Sequence, residues 1–336
     1  MQSTLPQSNQ HKHKGLGSLI VLGITITLSA CLWLNRQLVA DAVSYFSYHP
    51  TVAIEQIASR DKLTDLGKFY FYADNPGVEA SATFSKACDN KESGTAILGC
   101  YVNNRIYVYD VTDNRLDGIE EVTAAHELLH AVYQRMSDSD KATVNALVEA
   151  EYVKLQKDPT FAERMAYYAR TEPGERDNEL HSIIGTEVAS ISPELEAHYK
   201  QYFANRAQIV AFHDAYNGAF VKLADQAKSM SKQMDKLNTQ ITAMSKQYDA
   251  DVKNLNADIA DFNQRAKNGG FSSQSQFNSE RQALVSRASS IAAEHTDINN
   301  MVDKFNTLRS QYNDIVTQSN DLYKSIDSTL APAPKV

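Results

Sequence analysis

The stretch TAAHELLHAVYQR, residues 123–135, carries two histidines four positions apart, with a glutamate directly after the first. Alanine and leucine, both good helix formers, surround them, and no Gly or Pro interrupts the stretch. We therefore expect a helix that begins with Asp117 or Thr123 as its cap. Side chains four apart lie on one face of a helix, so His126 and His130 should point the same way.

Two imidazoles on one helix face can bind a single Zn²⁺ ion. Glu127 is rotated away from the line that joins His126 and His130, which places it beside the metal rather than on it. That is the position of a general base for a metal-bound water. The alternative is a core helix whose histidines are satisfied by hydrogen bonds. We favour a zinc site with Glu127 as the catalytic residue.

The size and charge of the chain limit the classes of function. At 336 residues the chain is long enough for two domains, and its net charge at pH 7 is -8. No basic cluster is present to bind phosphate groups. We therefore expect no nucleic-acid partner.

The N-terminal region contains twenty uncharged residues from Gly15 to Leu34, preceded by Lys12 and Lys14. As a helix this run reaches about 30 Å, the thickness of a bilayer core. The flanking charges predict a transmembrane signal anchor over 15–35, with a cytoplasmic N-terminus and the remainder outside. A cleaved signal peptide and a lipoprotein with a lipidated Cys31 are the alternatives.

The cysteines agree with an extracytoplasmic location. Cys88 and Cys100 enclose a polar segment that contains glycine, and neither has a C-x-x-C partner or a nearby histidine. In an oxidising compartment such a pair is most simply a disulfide, which for so short a loop stabilises the fold by about 3 kcal/mol. Two unpaired buried thiols are the alternative.

Mixed α and β patterns lie between the anchor and the motif. Two stretches rich in aromatic and β-branched residues read as strands, and two others read as helices. The expected strands are 67–74 and 104–111, and the expected helices are 51–59 and 78–87. A loop over 112–118 leads into the motif. The second strand should be an edge strand that binds extended substrate beside the motif helix.

Zinc needs a third protein ligand besides the histidine pair. A metzincin would place Gly and His three and six residues after His130, but this chain has Tyr133 and Met136 there, so that class is excluded. A second predicted helix offers Glu179 and Glu187 on one face. Glu179 is the first choice as ligand, whereas Glu187 is either the alternative ligand or a hydrogen-bond partner of a ligand histidine.

The pattern His126-Glu127-Leu128-Leu129-His130, followed by NELHSIIGTE at 178–187, resembles the gluzincins, and in particular their small membrane-tethered bacterial members. The resemblance covers roughly residues 50–205. It implies that His126, His130 and Glu179 hold zinc and that Glu127 is the base and proton shuttle. Position 183, which is acidic in that family, is isoleucine here. The candidates for stabilising the oxyanion are Tyr167, Tyr168, His181, His198 and Tyr199.

Beyond about residue 205 apolar residues recur at steps of four and three, as in a coiled coil. A break at Gly269 and Gly270 separates two such segments, which favours an antiparallel hairpin. We predict an α+β protein whose small zincin-like domain follows a transmembrane helix and precedes this hairpin. The predicted parts are a cytoplasmic tail (1–14), the anchor (15–35), the metallopeptidase domain (36–205), the coiled-coil hairpin (206–327) and a disordered tail (328–336).

The predicted function is that of a single-pass membrane zinc metalloendopeptidase with its catalytic domain outside the cytoplasm. Its partners should be a protein or peptide substrate, the membrane, and a coiled-coil partner or a second copy. The alternative is a structural or adhesion protein in which the hairpin is the functional part and the zincin-like head binds metal without catalysis. Substrate identity does not follow from the sequence.

Overall fold

The computed structural model describes residues 13–88, 97–171 and 173–327, with side chains from residue 20 onward. The expected disordered tail 328–336, most of the expected cytoplasmic tail 1–14, and residues 89–96 of the loop between the two cysteines lie outside the described residues. The chain forms two compact units, Met1–Asn217 with Ser325–Val336, called the head, and Gly218–Lys324, called the arm.

The described head is mostly helical and carries one small sheet. Its helices are α1 (His13–Leu34), α2 (Arg36–Ser47), α3 (Val52–Arg60), α4 (Asp65–Ala73), α5 (Ser81–Ala87), α6 (Ile119–Arg135), α7 (Asp138–Leu155), α8 (Pro159–Thr171), α9 (Arg176–Glu187) and α10 (Pro193–Tyr199). Its strands are β1 (Gly77–Glu79), β2 (Gly99–Val102) and β3 (Arg105–Tyr109). Two long helices, α11 (Arg206–Lys267) and α12 (Gln274–Ser325), follow.

The sheet has the order β1-β3-β2, with β1 parallel and β2 antiparallel to β3. Asn103 and Asn104 join β2 to β3, and both have positive φ, as a two-residue hairpin turn requires. The predicted strand at 104–111 is confirmed as β3, but its assignment as an edge strand is wrong, because it is paired on both sides. The edge strands are β1 and β2, neither of which the sequence patterns singled out.

Residues 67–74 form α4 rather than the predicted strand. Thr64 caps this helix by accepting a hydrogen bond from the backbone N–H of Gly67. The alternating aromatic residues that suggested a strand pack instead around the helix, with Phe71 buried and Tyr70 near Tyr202. Tertiary packing therefore overrides the β propensity of these residues.

The other expected elements hold in whole or in part. The helix expected at 51–59 is α3, capped by Thr51. The helix expected at 78–87 is divided between β1 and α5. The expected loop before the motif contains a short 3-10 helix, Asn114–Leu116.

Helix α6, which contains the motif, is central to the hydrophobic core of the head. It begins after Gly118 rather than at either predicted cap, and Gly118 has φ 94°, a conformation that glycine adopts readily. Its apolar face packs against α9 through fully buried residues, among them Leu128, Leu129 and Ile183. This packing fixes the rotation of α6 and so the direction in which its histidines point.

An ionic network at the C-terminal end of α6 links it to α2 and α4. The Arg135 guanidinium, 6% exposed, donates to both carboxylate oxygens of Asp41 and of Asp74 at 2.8 to 2.9 Å. It also lies over the ring of Tyr70. Burial raises the pKa of Asp74 to about 6, although Arg135 opposes that rise. Because both carboxylates face one guanidinium, α2 and α4 are held to the motif helix.

The N-terminal helices α1 and α2 meet at a sharp bend. Among the described residues, no single helix combines the length and hydropathy needed to cross a membrane. Ile20–Leu34 and Arg36–Ser47 meet that requirement only as a pair, bent by 74°. Side chains 15–19 of the predicted anchor lie outside the described residues.

Within the arm, the two long helices pair as an antiparallel hairpin, as predicted. Residues near the start of α11 contact residues near the end of α12, as in Phe220 with Tyr323. Farther along, the ring of Tyr248 lies 5.4 Å from that of His295, a predicted seam residue that is exposed. Gly269, with φ 66°, lies in the connection. The first turns of α11, which begins at Arg206, belong to the head.

Candidate metal centre

The site is built where α6 packs across α9. Glu179 Oε2 lies 3.6 Å from His126 Nε2, and Glu179 Oε1 lies 3.4 Å from His130 Nε2. One ligand atom from each of these three residues falls within 4.8 Å of the other two. Among the described residues, no other group of three His, Cys, Asp or Glu side chains comes as close. The group could therefore hold a metal ion.

Two separations between ligand atoms in this group fit a small tetrahedral ion. Zinc binds histidine nitrogen and carboxylate oxygen at about 2.0 to 2.2 Å, so neighbouring ligands on a tetrahedron lie about 3.3 Å apart. The separations of 3.6 and 3.4 Å, one from each carboxylate oxygen of Glu179, are close to that value. Glu179 Oε2 is buried and has no hydrogen-bond partner among the described residues. A buried carboxylate oxygen without a partner is costly, and a cation in the group would satisfy it.

The outward nitrogen of His130 is held by two polar side chains of α9. Its Nδ1 lies 3.0 Å from Asn178 Oδ1 and 3.3 Å from Ser182 Oγ. A hydrogen bond from Nδ1–H to the Asn178 carbonyl leaves the Nε2 lone pair free for a metal. Asn178 in turn donates to Glu175. The four-residue spacing of Asn178 and Ser182 puts both on the α9 face that meets His130.

The pKa values of Glu179 and His126 are set by their burial and by their contacts within the group. Burial would raise the pKa of Glu179, but His130 and His126 outweigh it and hold that pKa below its ordinary value. Burial would lower the pKa of His126, but the adjoining Glu179 carboxylate has the larger effect and raises that pKa above its ordinary value. The carboxylate is therefore kept ionised, as a metal ligand must be.

Glu187 lies in a different environment from Glu179. Its Oε2 pairs with Arg164 and lies 3.3 Å from His213 Nε2. The ring of His213 packs against Tyr216, 5.4 Å away. Glu187 is thus neither grouped with the histidine pair nor in contact with His130, whose outward nitrogen faces Asn178.

Glu127 lies on α6 beside the group, and its residue is 6% exposed. Strand β2 passes directly over it at Gly99. A Cβ at position 99 would lie 2.6 Å from Glu127 Oε1 and 2.5 Å from the Thr123 methyl carbon. Such separations are shorter than van der Waals contact, so only glycine allows the edge strand this close to the carboxylate.

Gly99→Ala is therefore expected to reduce any reaction that depends on Glu127. The added methyl group must displace β2 or turn the carboxylate, and a displacement of about 1 Å can cost 10²-fold in rate. Metal content should stay unchanged, because the three atoms nearest to a Cβ at position 99 belong to Thr123 and Glu127 and not to His126, His130 or Glu179. The measurement is turnover of a labelled peptide alongside zinc content. Gly218→Ala is the matched control, since a Cβ there meets nothing within 4 Å. Equal turnover in both variants would contradict the assigned role of this contact.

A cleft of about 1060 Å³ in the described head is lined by His126, His130 and Glu179, which we call the metal group. Residues of the edge strand β2 line this cleft, as do Tyr167 and Tyr168. The predicted disulfide between Cys88 and Cys100 is confirmed, with the two Cα atoms 5.8 Å apart. It ties β2 to the end of α5 and so restrains the wall next to Glu127.

The five candidates for stabilising an oxyanion separate into two groups. Tyr167 and Tyr168 line the cleft. Burial raises the pKa of Tyr168, and the Glu179 and Glu127 carboxylates raise it further, so its hydroxyl is protonated and can donate.

The remaining three candidates form a separate cluster outside the cleft lining. His181 Nε2 lies 2.9 Å from His198 Nε2, and Tyr199 donates to the His181 backbone oxygen. Burial lowers the pKa of His198 to about 4. These residues stabilise the packing between α9 and α10 rather than facing a substrate.

Sequence reasoning missed β2, Gly99, Asn178 and Ser182 as parts of the site. Two features of the sequence indicated them. One is the Asn103-Asn104 turn between two β-rich runs, and the other is the polar pair Asn178 and Ser182, four residues apart, on either side of Glu179.

Comparison of the chain with protein-family models, with curated proteins and with solved structures finds no match.

Proposed function

We propose that the protein is a membrane-anchored, extracytoplasmic zinc metallopeptidase. The proposal rests on the group of His126, His130 and Glu179, whose ligand atoms lie within 4.8 Å of one another in an open cleft. Glu127 lies beside them in the same cleft. The donor set of two imidazoles and one carboxylate is that of catalytic zinc sites, which leave a position open for substrate or water. The disulfide between Cys88 and Cys100 supports an oxidising compartment.

In the proposed reaction, His126, His130 and Glu179 would hold the ion. Bound zinc supplies Lewis acidity, which polarises a peptide carbonyl and lowers the pKa of water. Glu127 takes a proton from the attacking water and delivers it to the departing amine. Tyr168, as a neutral donor in the cleft wall, is positioned to stabilise negative charge on the carbonyl oxygen.

Edge strand β2 supplies the means of binding an extended peptide. Among the described residues its one partner in the sheet is β3, and we infer that its other edge offers backbone groups for pairing with an added strand. Gly99 brings that strand against Glu127. A peptide bound along β2 would therefore run past the proposed base, using backbone hydrogen bonds that depend little on side chains.

Metal removal tests this proposal on the purified full-length protein. Ortho-phenanthroline should abolish hydrolysis of a labelled unfolded protein, and added zinc should restore it, because the reaction needs the ion. Meta-phenanthroline, which does not chelate, should have no effect. Hydrolysis that survives chelation would exclude a metallopeptidase. A zinc-loaded protein that hydrolyses nothing would favour the structural or adhesion alternative, with the arm as the functional part.

A further inference from the structure

Helix α2 has an apolar stripe that nothing in the described chain covers. Val39, Val43 and Phe46 follow one another at helical spacing on its outer face, and they are 40%, 64% and 81% exposed. Phe46 is the most exposed large apolar residue among the described residues. We call these three residues the α2 outer face.

The opposite face of α2 is fixed to the head. Asp41 is buried in the ion pair with Arg135, and Ser44 Oγ donates to the Ala73 backbone oxygen at 2.6 Å. Just past the helix end, the Tyr48 hydroxyl donates to the Pro76 backbone oxygen. Three polar contacts to separate parts of the head define which side of α2 faces inward. The exposure of the outer face is thus a consequence of how α2 is docked.

The outer face follows the apolar surface of α1 closely along the chain. Large apolar residues of α1 from Ile20 to Leu34 are 55% to 73% exposed, and α2 begins two residues after Leu34, across the 74° bend. At this junction Arg36 lies over the ring of Trp33, 5.9 Å from its centre. Tryptophan and arginine are typical of the boundary between lipid and water. A helix that turns by 74° at such a boundary lies nearly along it.

We propose that α2 is an interfacial helix whose outer face inserts into the surface of a phospholipid bilayer. This inference rests on the membrane anchor of the proposed function and adds a second contact beyond it. Lipid is the occupant because the helix begins within one turn of the end of α1 and carries Arg36 next to its apolar stripe, a combination that suits anionic headgroups. The broken-span alternative would place Asp41 and its Arg135 partner in hydrocarbon.

The lipid contact would orient the catalytic head. Arg135 is the last residue of α6, and its guanidinium joins Asp41 of α2 to Asp74. The motif helix is therefore connected, through one buried ion-pair network, to the helix that lies on the bilayer. Such a connection fixes the direction in which α6 points relative to the membrane, which a flexible linker after α1 would leave free.

Spin labels on the full-length protein test this surface directly. In a Cys31→Ser background, single cysteines replace Val39, Val43 or Phe46, and the purified protein is reconstituted in vesicles of phosphatidylcholine and phosphatidylglycerol. Labels on the outer face should collide more with apolar oxygen than with a water-soluble nickel complex. Val153→Cys is the matched control, since Val153 is an apolar residue of α7 that is 58% exposed. Its label should show the reverse preference.

A label at Ile26 reports whether α1 itself lies in the membrane. It therefore distinguishes a wrong interfacial helix from a wrong membrane anchor. If the Ile26 label is in lipid while all three outer-face labels favour the nickel complex, the interfacial helix is wrong and the anchor stands. If the Ile26 label also favours the nickel complex, anchor and interfacial helix both fail. Peptide hydrolysis measured on the same samples reports separately on the peptidase.

Discussion

Replacing Glu127 with glutamine is expected to lower turnover of a peptide by about 10²- to 10⁴-fold, the usual contribution of a general base. The amide has nearly the same shape but cannot take a proton from water. Because Glu127 is not one of the three grouped ligands, zinc content should remain that of the wild type. The measurement combines steady-state hydrolysis of a labelled peptide with metal analysis of the same sample.

Glu163→Gln is the matched control for this change. Glu163 is an exposed carboxylate of α8 that does not line the cleft, so the same substitution there should leave turnover unchanged. Wild-type turnover in Glu127→Gln would contradict its assignment as base. Loss of zinc in that variant would instead make Glu127 part of the metal group.

Glu179→Gln is expected to weaken zinc binding by more than the 10- to 100-fold that is typical of residues outside the ligand set. The substitution removes a charged oxygen that lies 3.4 Å from His130 Nε2. Glu187→Gln should leave zinc affinity within a few-fold of wild type, since Glu187 faces Arg164 and His213. Competition with a zinc-binding dye measures both affinities. The opposite order of the two variants would make Glu187 the ligand.

Local patterns predicted the parts of this site that lie on single helices. The four-residue spacing of His126 and His130 required only that their stretch be helical, and α6 meets that requirement. The same is true of Glu179 on α9. The distance between the two helices could not be predicted from the sequence, because it depends on how side chains such as Leu129 and Ile183 pack between them.

Patterns failed where tertiary contacts decide the structure. The alternating aromatics of 67–74 resemble a strand in isolation, but the head supplies ring partners on several sides and makes them a helix. The central position of β3 depends on β1, which pairs with β3 in parallel after an intervening helix. No feature of the 104–111 stretch itself shows that it will be paired on both sides.

The five oxyanion candidates illustrate a further limit. Residue type alone made Tyr168 and Tyr199 equivalent, since both are tyrosines that a fold can bury. In the structure Tyr168 lines the cleft, whereas Tyr199 donates to the His181 backbone. The difference arises from how α8 and α10 pack against α9. The antiparallel arm was easier to predict, because its apolar repeat and glycine break are local features.

Anomalous diffraction at the zinc edge, from crystals of the full-length protein grown with zinc, would locate the metal between α6 and α9. We expect one peak in the head, about 2.0 to 2.2 Å from His126 Nε2, His130 Nε2 and a carboxylate oxygen of Glu179. Glu127 should lie beside this peak without binding it. A zinc ion held by other residues, or no peak between α6 and α9, would contradict the account.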